Sequence, residues 1–195
     1  MYTKQLCEAM AFMHEKGAIH RDLKPKNILL ASTDPLAPVR ICDFGLATWL
    51  PMGEYIKDGV LKGTAEFLSF EMASGKPYGH PTDVWAVGVI CFMFLCGRLP
   101  FDDPDRKENI DDNLENPNYS PLFNIIAKGV WEFREEDNSL SPNARDFITK
   151  MLDLNRDERP SFAAALEHPF LKPDGASHSP LKHVSAGAVS TQPWP

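Results

Sequence analysis

The most informative stretch of this 195-residue chain is HRDLKPKN, residues 20–27. It leads into the apolar run Asn27 to Leu30, and the tripeptide Asp43-Phe44-Gly45 directly follows a second run, Val39 to Cys42. The turn-forming residues between the two runs predict that they pair as a small β-hairpin. We therefore expect Asp22, Asn27 and Asp43 on neighbouring loops at one edge of this hairpin.

These three side chains have the chemistry that phosphoryl transfer needs. The reaction requires a carboxylate that orients the attacking hydroxyl, and oxygen ligands that hold magnesium on the phosphates. The alternative from the residues alone is that Asp22 and Asn27 only form turn hydrogen bonds and that Asp43 ends a strand. That alternative leaves the Lys24-Pro25 context unexplained.

The two motifs, in this order, resemble the signature of the protein kinases, and the resemblance extends over residues 1 to about 171. It implies that Asp22 is the catalytic base and that Lys24 steadies the transferred phosphoryl group. It also implies that ATP and Mg²⁺ are the cofactors, held by Asn27, Leu29 and Asp43, with Asn27 and Asp43 as the metal ligands. A lysine two places after the aspartate is similar to serine/threonine kinases, whereas tyrosine kinases usually carry alanine there.

The same resemblance assigns residues to a protein substrate. Thr64, after Gly63, corresponds to the residue that faces the acceptor hydroxyl, and we expect it to hydrogen-bond Asp22 and Lys24. Glu66 and Lys26 are expected beside the substrate groove. In the calcium/calmodulin-dependent group the position of Lys26 is commonly glutamate, so the charge here is reversed and selection for an upstream arginine is expected to weaken.

Other matching residues are expected to be structural. Glu71 corresponds to the glutamate that closes the activation segment, and Arg159 to the arginine that pairs with it. Asp83 resembles the buried aspartate that holds the His20-Arg21 backbone, and Phe44 and Gly45 complete the second motif. Two further runs, residues 97–101 and 168–171, resemble the calcium/calmodulin-dependent kinases, which leaves regulation by calmodulin or another calcium sensor open.

A glycine-rich loop, a strand lysine and a helix glutamate are not found ahead of Asp22. The expected fold is therefore mainly α with a small β-hairpin: the large, C-terminal lobe of a protein kinase at 1–171, with the small lobe absent. ATP binding would then need a small lobe supplied by a longer chain. The predicted function is that of a serine/threonine kinase lobe. The alternative is a non-catalytic binding or scaffold module.

Hydrophobic patterning predicts the helices. Apolar residues recur at helical spacing from Tyr2 to Met13, and Val84 to Cys96 is apolar all round, as in a buried helix that ends at Gly97. Ser141-Pro142 predicts a capped helix start, and another short helix is expected over 161–167. Residues 43–76 are predicted to be irregular. The tail 172–195, rich in Pro, Ser, Gly and Ala, is expected to be disordered.

The composition limits the classes of binding partner and the cellular location that we expect. The chain carries 27 acidic and 20 basic side chains, a net charge of −7, which argues against nucleic acid. Seven of the acids lie in a predicted surface loop, residues 102–118. Neither a secretory leader nor an apolar run long enough for a membrane span is expected, and four cysteines in no metal-binding pattern predict reduced thiols. These features predict an intracellular protein, cytoplasmic or nuclear.

The segment between the second motif and Thr64 carries one further expectation. Between Thr48 and Thr64 the sequence has no serine or threonine, and Tyr55 is the only residue with a side-chain hydroxyl. Regulation by phosphorylation of a serine or threonine is therefore not expected in this segment. Arg21 provides a cation of the kind that awaits a phosphate in many kinases. We expect Glu54 or Asp58 to supply that negative charge permanently.

Overall fold

The computed structural model describes residues 2–34, 37–102 and 120–172. Within these ranges the chain is mostly helical, with two small antiparallel sheets. The helices are α1 (Tyr2–Glu15), α2 (Phe70–Ala73), α3 (Pro81–Cys96), α4 (Ser120–Lys128), α5 (Pro142–Met151) and α6 (Phe162–Leu166). The predictions for most of the acidic loop and for the tail beyond residue 172 lie outside the described residues.

Helix α3 is the central element, as its sequence predicts. All but three of its sixteen residues are buried, because the helix is apolar on every side and other elements surround it. It begins at Pro81, slightly earlier than expected, and ends at Gly97, which adopts a left-handed φ of 73°. The absence of a side chain at Gly88 lets α5 approach closely, since a Cβ there would lie 2.8 Å from that of Met151. Helix α3 is thereby fixed against α5.

Helices α1 and α5 pack against this axis, and α6 packs against α1. The side chains of Ser141 and Ser161 cap α5 and α6 by accepting hydrogen bonds from the backbone N–H groups of Ala144 and Ala164. Both helix starts are therefore confirmed. Helix α1 buries Leu6, Cys7, Met10 and His14 on its inner face. Its last turn thus brings an imidazole into the core beside α3.

The hairpin is confirmed, and a second sheet accompanies it. Strands β2 (Ile28–Leu30) and β3 (Val39–Ile41) pair antiparallel, with Ile28 opposite Ile41. Strands β1 (Ala18–Ile19) and β4 (Thr48–Trp49) form the other sheet, which the sequence analysis did not predict. A strand of two residues is too short to show the alternation of apolar and polar side chains by which a strand is predicted from sequence. The two sheets hold the loop at 20–27 and the motif at 43–45 from both sides.

The prediction of irregular structure up to residue 76 is wrong in part. A 3-10 turn spans Ala65–Phe67, and α2 follows directly. Helix α4 was also not predicted. Such short elements depend on tertiary packing rather than on propensity.

Among the described residues, none of the helices is both long and apolar enough to cross a bilayer. All four cysteines are free thiols, in agreement with the sequence analysis. Burial is the main cause that raises the pKa of Cys91, to about 12, so this thiol is protonated at neutral pH.

Candidate active site

The backbone of the loop at 20–27 is anchored from below by α3. The carboxylate of Asp83 accepts hydrogen bonds from the backbone N–H groups of His20 and Arg21, both at 2.9 Å. Arg21 has a left-handed φ of 68°, a conformation that needs such external support. The contact between Asp83 and this backbone, expected from the resemblance, is therefore present.

Asp83 keeps its charge although it is buried. Burial alone would raise its pKa. The hydrogen bond between Nε2 of His14 and Oδ2 of Asp83, at 2.9 Å, acts in the opposite direction, as do the bonds from the two backbone N–H groups. Together they lower the pKa of Asp83 below its ordinary value. His14 is the functional residue that the sequence analysis missed. A histidine in the last turn of a helix, six residues before His20, was the available signal.

The ring of His20 joins the loop to the second motif. Its Nδ1 atom accepts a hydrogen bond from the backbone N–H of Asp22 at 3.3 Å, so Nε2 carries the proton and donates to the carbonyl of Cys42 at 3.2 Å. The ring centroid lies 5.3 Å from that of Phe44. One imidazole ring thus positions Asp22 and the residue before Asp43 at the same time.

Asp22, Lys24 and Thr64 form a closed hydrogen-bonded triangle. The Thr64 hydroxyl donates to Oδ1 of Asp22 at 2.7 Å and accepts from Nζ of Lys24 at 2.7 Å. The third side joins Nζ of Lys24 to Oδ2 of Asp22 at 3.1 Å. Asp22 is 8 % exposed, so these contacts act with little screening by solvent. Both contacts expected of Thr64 are present.

Gly63 makes this triangle possible. Its φ is +119°, and a Cβ at this position would lie 2.5 Å from the carbonyl oxygen of Arg21. No other residue type fits that approach without moving the backbone. The close packing of Gly63 on the loop delivers Thr64 to Asp22, which is 42 residues away in the chain.

The hairpin edge brings together the residues expected to hold a nucleotide. The amide nitrogen of Asn27 donates to the backbone carbonyl of Asp22 at 2.8 Å, and Cys42 donates from its backbone N–H to the carbonyl of Asn27 at 3.0 Å. Asp43 follows at once, exposed and with a left-handed φ of 61°. Leu29 lies half-buried on β2.

This donor set suits magnesium. With its amide nitrogen engaged in hydrogen bonds, Asn27 has its amide oxygen as a hard ligand, and Asp43 adds a carboxylate whose Oδ1 accepts only a long bond of 3.3 Å from Gly45. Mg²⁺ prefers few protein oxygens together with phosphate oxygens and water. One amide and one carboxylate at an exposed edge fit that preference, and the bound ion would neutralise phosphate charge.

A buried ion pair fixes the base of the site. Arg159 donates to both carboxylate oxygens of Glu71, at 3.0 and 2.7 Å, although the two residues are 88 positions apart. Its Nε and Nη1 atoms also donate to the carbonyls of Asp153 and Pro81, and its guanidinium carbon lies 4.8 Å from the centre of the Trp85 ring. The expected Glu71–Arg159 contact is present, and four hydrogen bonds hold the arginine in place.

Two residues expected near the substrate groove lie on exposed or half-exposed turns. Lys26 is exposed in the 3-10 turn Pro25–Asn27, and Glu66 is half-buried in the 3-10 turn after Thr64. Lys26 directly precedes Asn27 at the hairpin edge, and Glu66 lies two residues after Thr64 of the triangle.

The expectation for Arg21 is wrong. Its Nε donates to the carbonyl of Leu46 at 2.6 Å and its Nη1 reaches the hydroxyl of Tyr78 at 3.5 Å. Neither Glu54 nor Asp58 forms an ion pair with it in the part of the chain that the structure describes. Asp58 instead accepts from the backbone N–H of Val60. Neutral oxygens therefore take the role that we expected of a carboxylate.

The family model of the protein kinase domain matches residues 1–171 of this chain. The match covers both motifs, the triangle and the buried ion pair. This chain belongs to the protein kinase family, whose members are phosphotransferases.

Proposed function

We propose that this chain provides the catalytic-loop lobe of a serine/threonine protein kinase. In this proposal Asp22 orients the acceptor hydroxyl of a protein serine or threonine and receives its proton, and Lys24 stabilises the charge on the transferred phosphoryl group. The alternative is a lobe of the same fold that binds partners without transferring phosphate.

The observation that supports catalysis most is the Asp22–Lys24–Thr64 triangle. A carboxylate that accepts a hydrogen bond from one hydroxyl at 2.7 Å has the position and polarity to accept one from another, and an ammonium group lies 3.1 Å away. A structural turn needs neither that lysine nor the tight approach at Gly63. The arrangement holds a base and a cation together in a buried setting, which catalysis requires.

The proposed cofactors are ATP and Mg²⁺. Asn27 and Asp43 would hold the ion, and Leu29 would contact the nucleotide. Bound magnesium supplies electrostatic stabilisation to the phosphates. Positioning of the phosphates supplies most of the catalysis in this chemistry, so activity also requires the glycine-rich loop and the strand lysine of a small lobe. We propose that these come from a segment outside these 195 residues.

The test is phosphate transfer to a serine/threonine peptide mixture by the chain joined to a kinase small lobe. We expect Mg²⁺-dependent transfer to serine and threonine, and a loss of at least about a hundredfold in kcat for Asp22→Asn, because a general base contributes on that scale. The 195-residue chain alone should show negligible turnover. Glu132→Gln, at an exposed position outside the site, is the matched control.

Three outcomes contradict the proposal. Transfer that survives Asp22→Asn would exclude Asp22 as the base. Transfer to tyrosine peptides alone would exclude the serine/threonine assignment. A well-folded two-lobe protein that binds peptides but transfers no phosphate would favour the non-catalytic alternative.

A further inference from the structure

A small apolar pocket lies on the segment that precedes Thr64. Its volume is about 150 Å³, and residues of the segments 56–61 and 72–78 form it. An apolar cavity of that volume can hold a benzene ring, whereas sites for whole small molecules typically have about 300–1,000 Å³. The described residues that line the pocket include no member of the triangle and neither proposed magnesium ligand. The pocket therefore fits one large apolar side chain of a partner.

The part of the wall that an incoming side chain can reach is apolar. Val60, 50 % exposed, stands at the mouth. Ile56, Leu61 and Pro77 are half-buried in the wall, so each keeps some surface that is accessible from outside. Contact with these side chains removes apolar surface of both partners from water, which favours binding.

Two glycines leave the mouth of the pocket open. Gly59 and Gly75 both line the pocket and are both exposed. A Cβ added at either position would meet no atom within 4 Å. At these two positions, no group of the described chain stands in the way of a partner.

Backbone contacts hold the two sides of the pocket together. Ile56 and Tyr78 exchange two backbone hydrogen bonds, of 2.8 and 3.1 Å, in an antiparallel bridge. The guanidinium of Arg156 donates to the carbonyl of Pro77. Met72 and Tyr78, at 2 % and 4 % exposure, belong to an apolar cluster behind the wall. A pocket that is formed in advance binds a partner at a smaller cost in conformational entropy than one that must first become ordered.

Two ammonium groups flank the pocket. Lys57 lines it at an exposed position, and Lys76 lines it with Nζ at 4.6 Å from the centre of the Phe70 ring. Neither lysine forms an ion pair within the described ranges. Asp58, the residue after Lys57, does not line the pocket, and its Oδ1 accepts a hydrogen bond from the backbone N–H of Val60 at 3.0 Å. The pocket is thus flanked by positive charge although the chain as a whole has a net charge of −7.

The pocket adjoins the candidate active site along the chain. Leu61 lies two residues before Gly63, which packs on the carbonyl of Arg21. The hydroxyl of Tyr78 accepts a hydrogen bond from Nη1 of Arg21 at 3.5 Å. A partner that is held in the pocket therefore binds the same segment that delivers Thr64 to the triangle.

We propose that this pocket is a docking site for a protein partner that presents one large apolar side chain, phenylalanine or leucine, flanked by glutamate or aspartate. The apolar side chain enters against Ile56, Val60 and Leu61, and the flanking carboxylates lie near Lys57 and Lys76. Burial of the apolar side chain supplies affinity. The two ammonium groups favour an acidic sequence and repel a basic sequence of the same shape.

The test is an NMR titration of the isotope-labelled 195-residue chain with three acetylated pentapeptides. The first has one phenylalanine between two pairs of glutamates, the second has alanine in place of the phenylalanine, and the third has lysines in place of the glutamates. We expect saturable binding of the first peptide, with the largest chemical-shift changes at the amides of Gly59, Val60 and Gly75. Loss of the ring should weaken binding at least about tenfold, and reversal of the peptide charge should weaken it about tenfold.

Two variants test the pocket, and each has a matched control. Lys57→Glu should weaken binding of the first peptide about tenfold, whereas Lys128→Glu, at another exposed lysine outside the pocket, should leave it unchanged. Val60→Ser should weaken it roughly threefold, because less apolar area is buried. Val130→Ser, at a valine that is 75 % exposed outside the pocket, should leave it unchanged. Circular dichroism checks that each variant is folded, as we expect of substitutions at exposed positions.

Any of four results would overturn the proposal: no saturable binding of the first peptide, equal binding of the alanine or the lysine peptide, shift changes confined to residues outside the pocket, or an affinity that neither variant changes. Self-association of the chain that Val60→Ser abolishes, measured by analytical ultracentrifugation, would also overturn it, since the occupant would then be a second copy. None of these measurements uses phosphate transfer, so this proposal and the proposed function fail or succeed independently.

Discussion

The two sides of the loop at 20–27 are built differently. Towards α3, the loop is anchored by Asp83, which is 1 % exposed, and the nearby ion pair of Glu71, 2 % exposed, with Arg159 is also made inside the chain. Towards the hairpin edge, Asp43 and Gly45 are exposed and Phe44 is 51 % exposed. Breaking a buried ion pair lowers the free energy of unfolding strongly, whereas removing an exposed contact changes it little. The buried side of the site is therefore fixed by contacts within this chain, whereas the hairpin edge stays exposed, where we propose that a nucleotide binds.

The largest effect is expected from Glu71→Ala. The substitution leaves Arg159 buried without its carboxylate, which should lower the free energy of unfolding by about 3–5 kcal/mol. Urea denaturation followed by circular dichroism measures this loss. Lys150→Ala, which breaks an exposed pair with Asp146, is the control and should cost only about 0.3–0.5 kcal/mol. Similar losses for the two variants would contradict the distinction between the buried base and the surface.

Asp83→Asn tests the anchor of the loop. An amide can accept from only one of the two backbone N–H groups through its oxygen, so we expect a loss of about 2–3 kcal/mol. Amide hydrogen exchange at His20 and Arg21 should accelerate more than exchange at Ala144, which Ser141 caps in another part of the molecule. Equal acceleration at all three amides would indicate global unfolding rather than release of the loop.

The pH dependence of stability gives a second measure of the same anchor. The pKa of Asp83 is lowered in the folded state. Its contribution to the free energy of unfolding is therefore complete above the pKa of about 3.9 in the unfolded chain, and it is lost as the pH falls through the lower pKa of the folded state. Urea denaturation between pH 5 and 3 should show stability falling more steeply in the wild type than in Asp83→Asn. Parallel curves would contradict the lowered pKa.

Gly63→Ala should cost about 2 kcal/mol, because it combines a left-handed backbone with a collision against the carbonyl of Arg21. Gly59→Ala is the matched control, since Gly59 also has a positive φ of 68° but no atom within 4 Å of the added Cβ. We expect about 1 kcal/mol for the control. The chemical shift of the Thr64 methyl group should change only in the Gly63 variant. A change in both variants would mean that the collision plays no special part.

The smallest effect is expected at the hairpin edge. Phe44→Ala removes a half-exposed ring and should change the free energy of unfolding by no more than about 0.5 kcal/mol. Phe92→Ala, at a fully buried position of α3, should cost about 3–5 kcal/mol by the same urea measurement. A loss above about 2 kcal/mol at Phe44 would show that the edge is as tightly built as the base.

Local signals predicted the elements that local interactions stabilise. The end of α3 at Gly97 follows from one left-handed residue, and the starts of α5 and α6 follow from Ser141 and Ser161, whose side chains bond three residues ahead. The hairpin was predictable for the same reason. The pairing of β1 with β4, about thirty residues apart, has no such signal, because two-residue strands form only when the rest of the fold brings them together.

By itself, the sequence determined which residue types are available for chemistry: the carboxylate proposed as the base, a lysine, the amide and carboxylate proposed as magnesium ligands, and a hydroxyl, in an order that resembles one family. The tertiary structure decided their partners. It set the ring of His14 against Asp83, and it gave Arg21 the Leu46 carbonyl and the Tyr78 hydroxyl instead of a carboxylate. The reason is physical: pairings between distant residues depend on how the whole core excludes water and closes the intervening chain, and no short stretch of sequence contains that information.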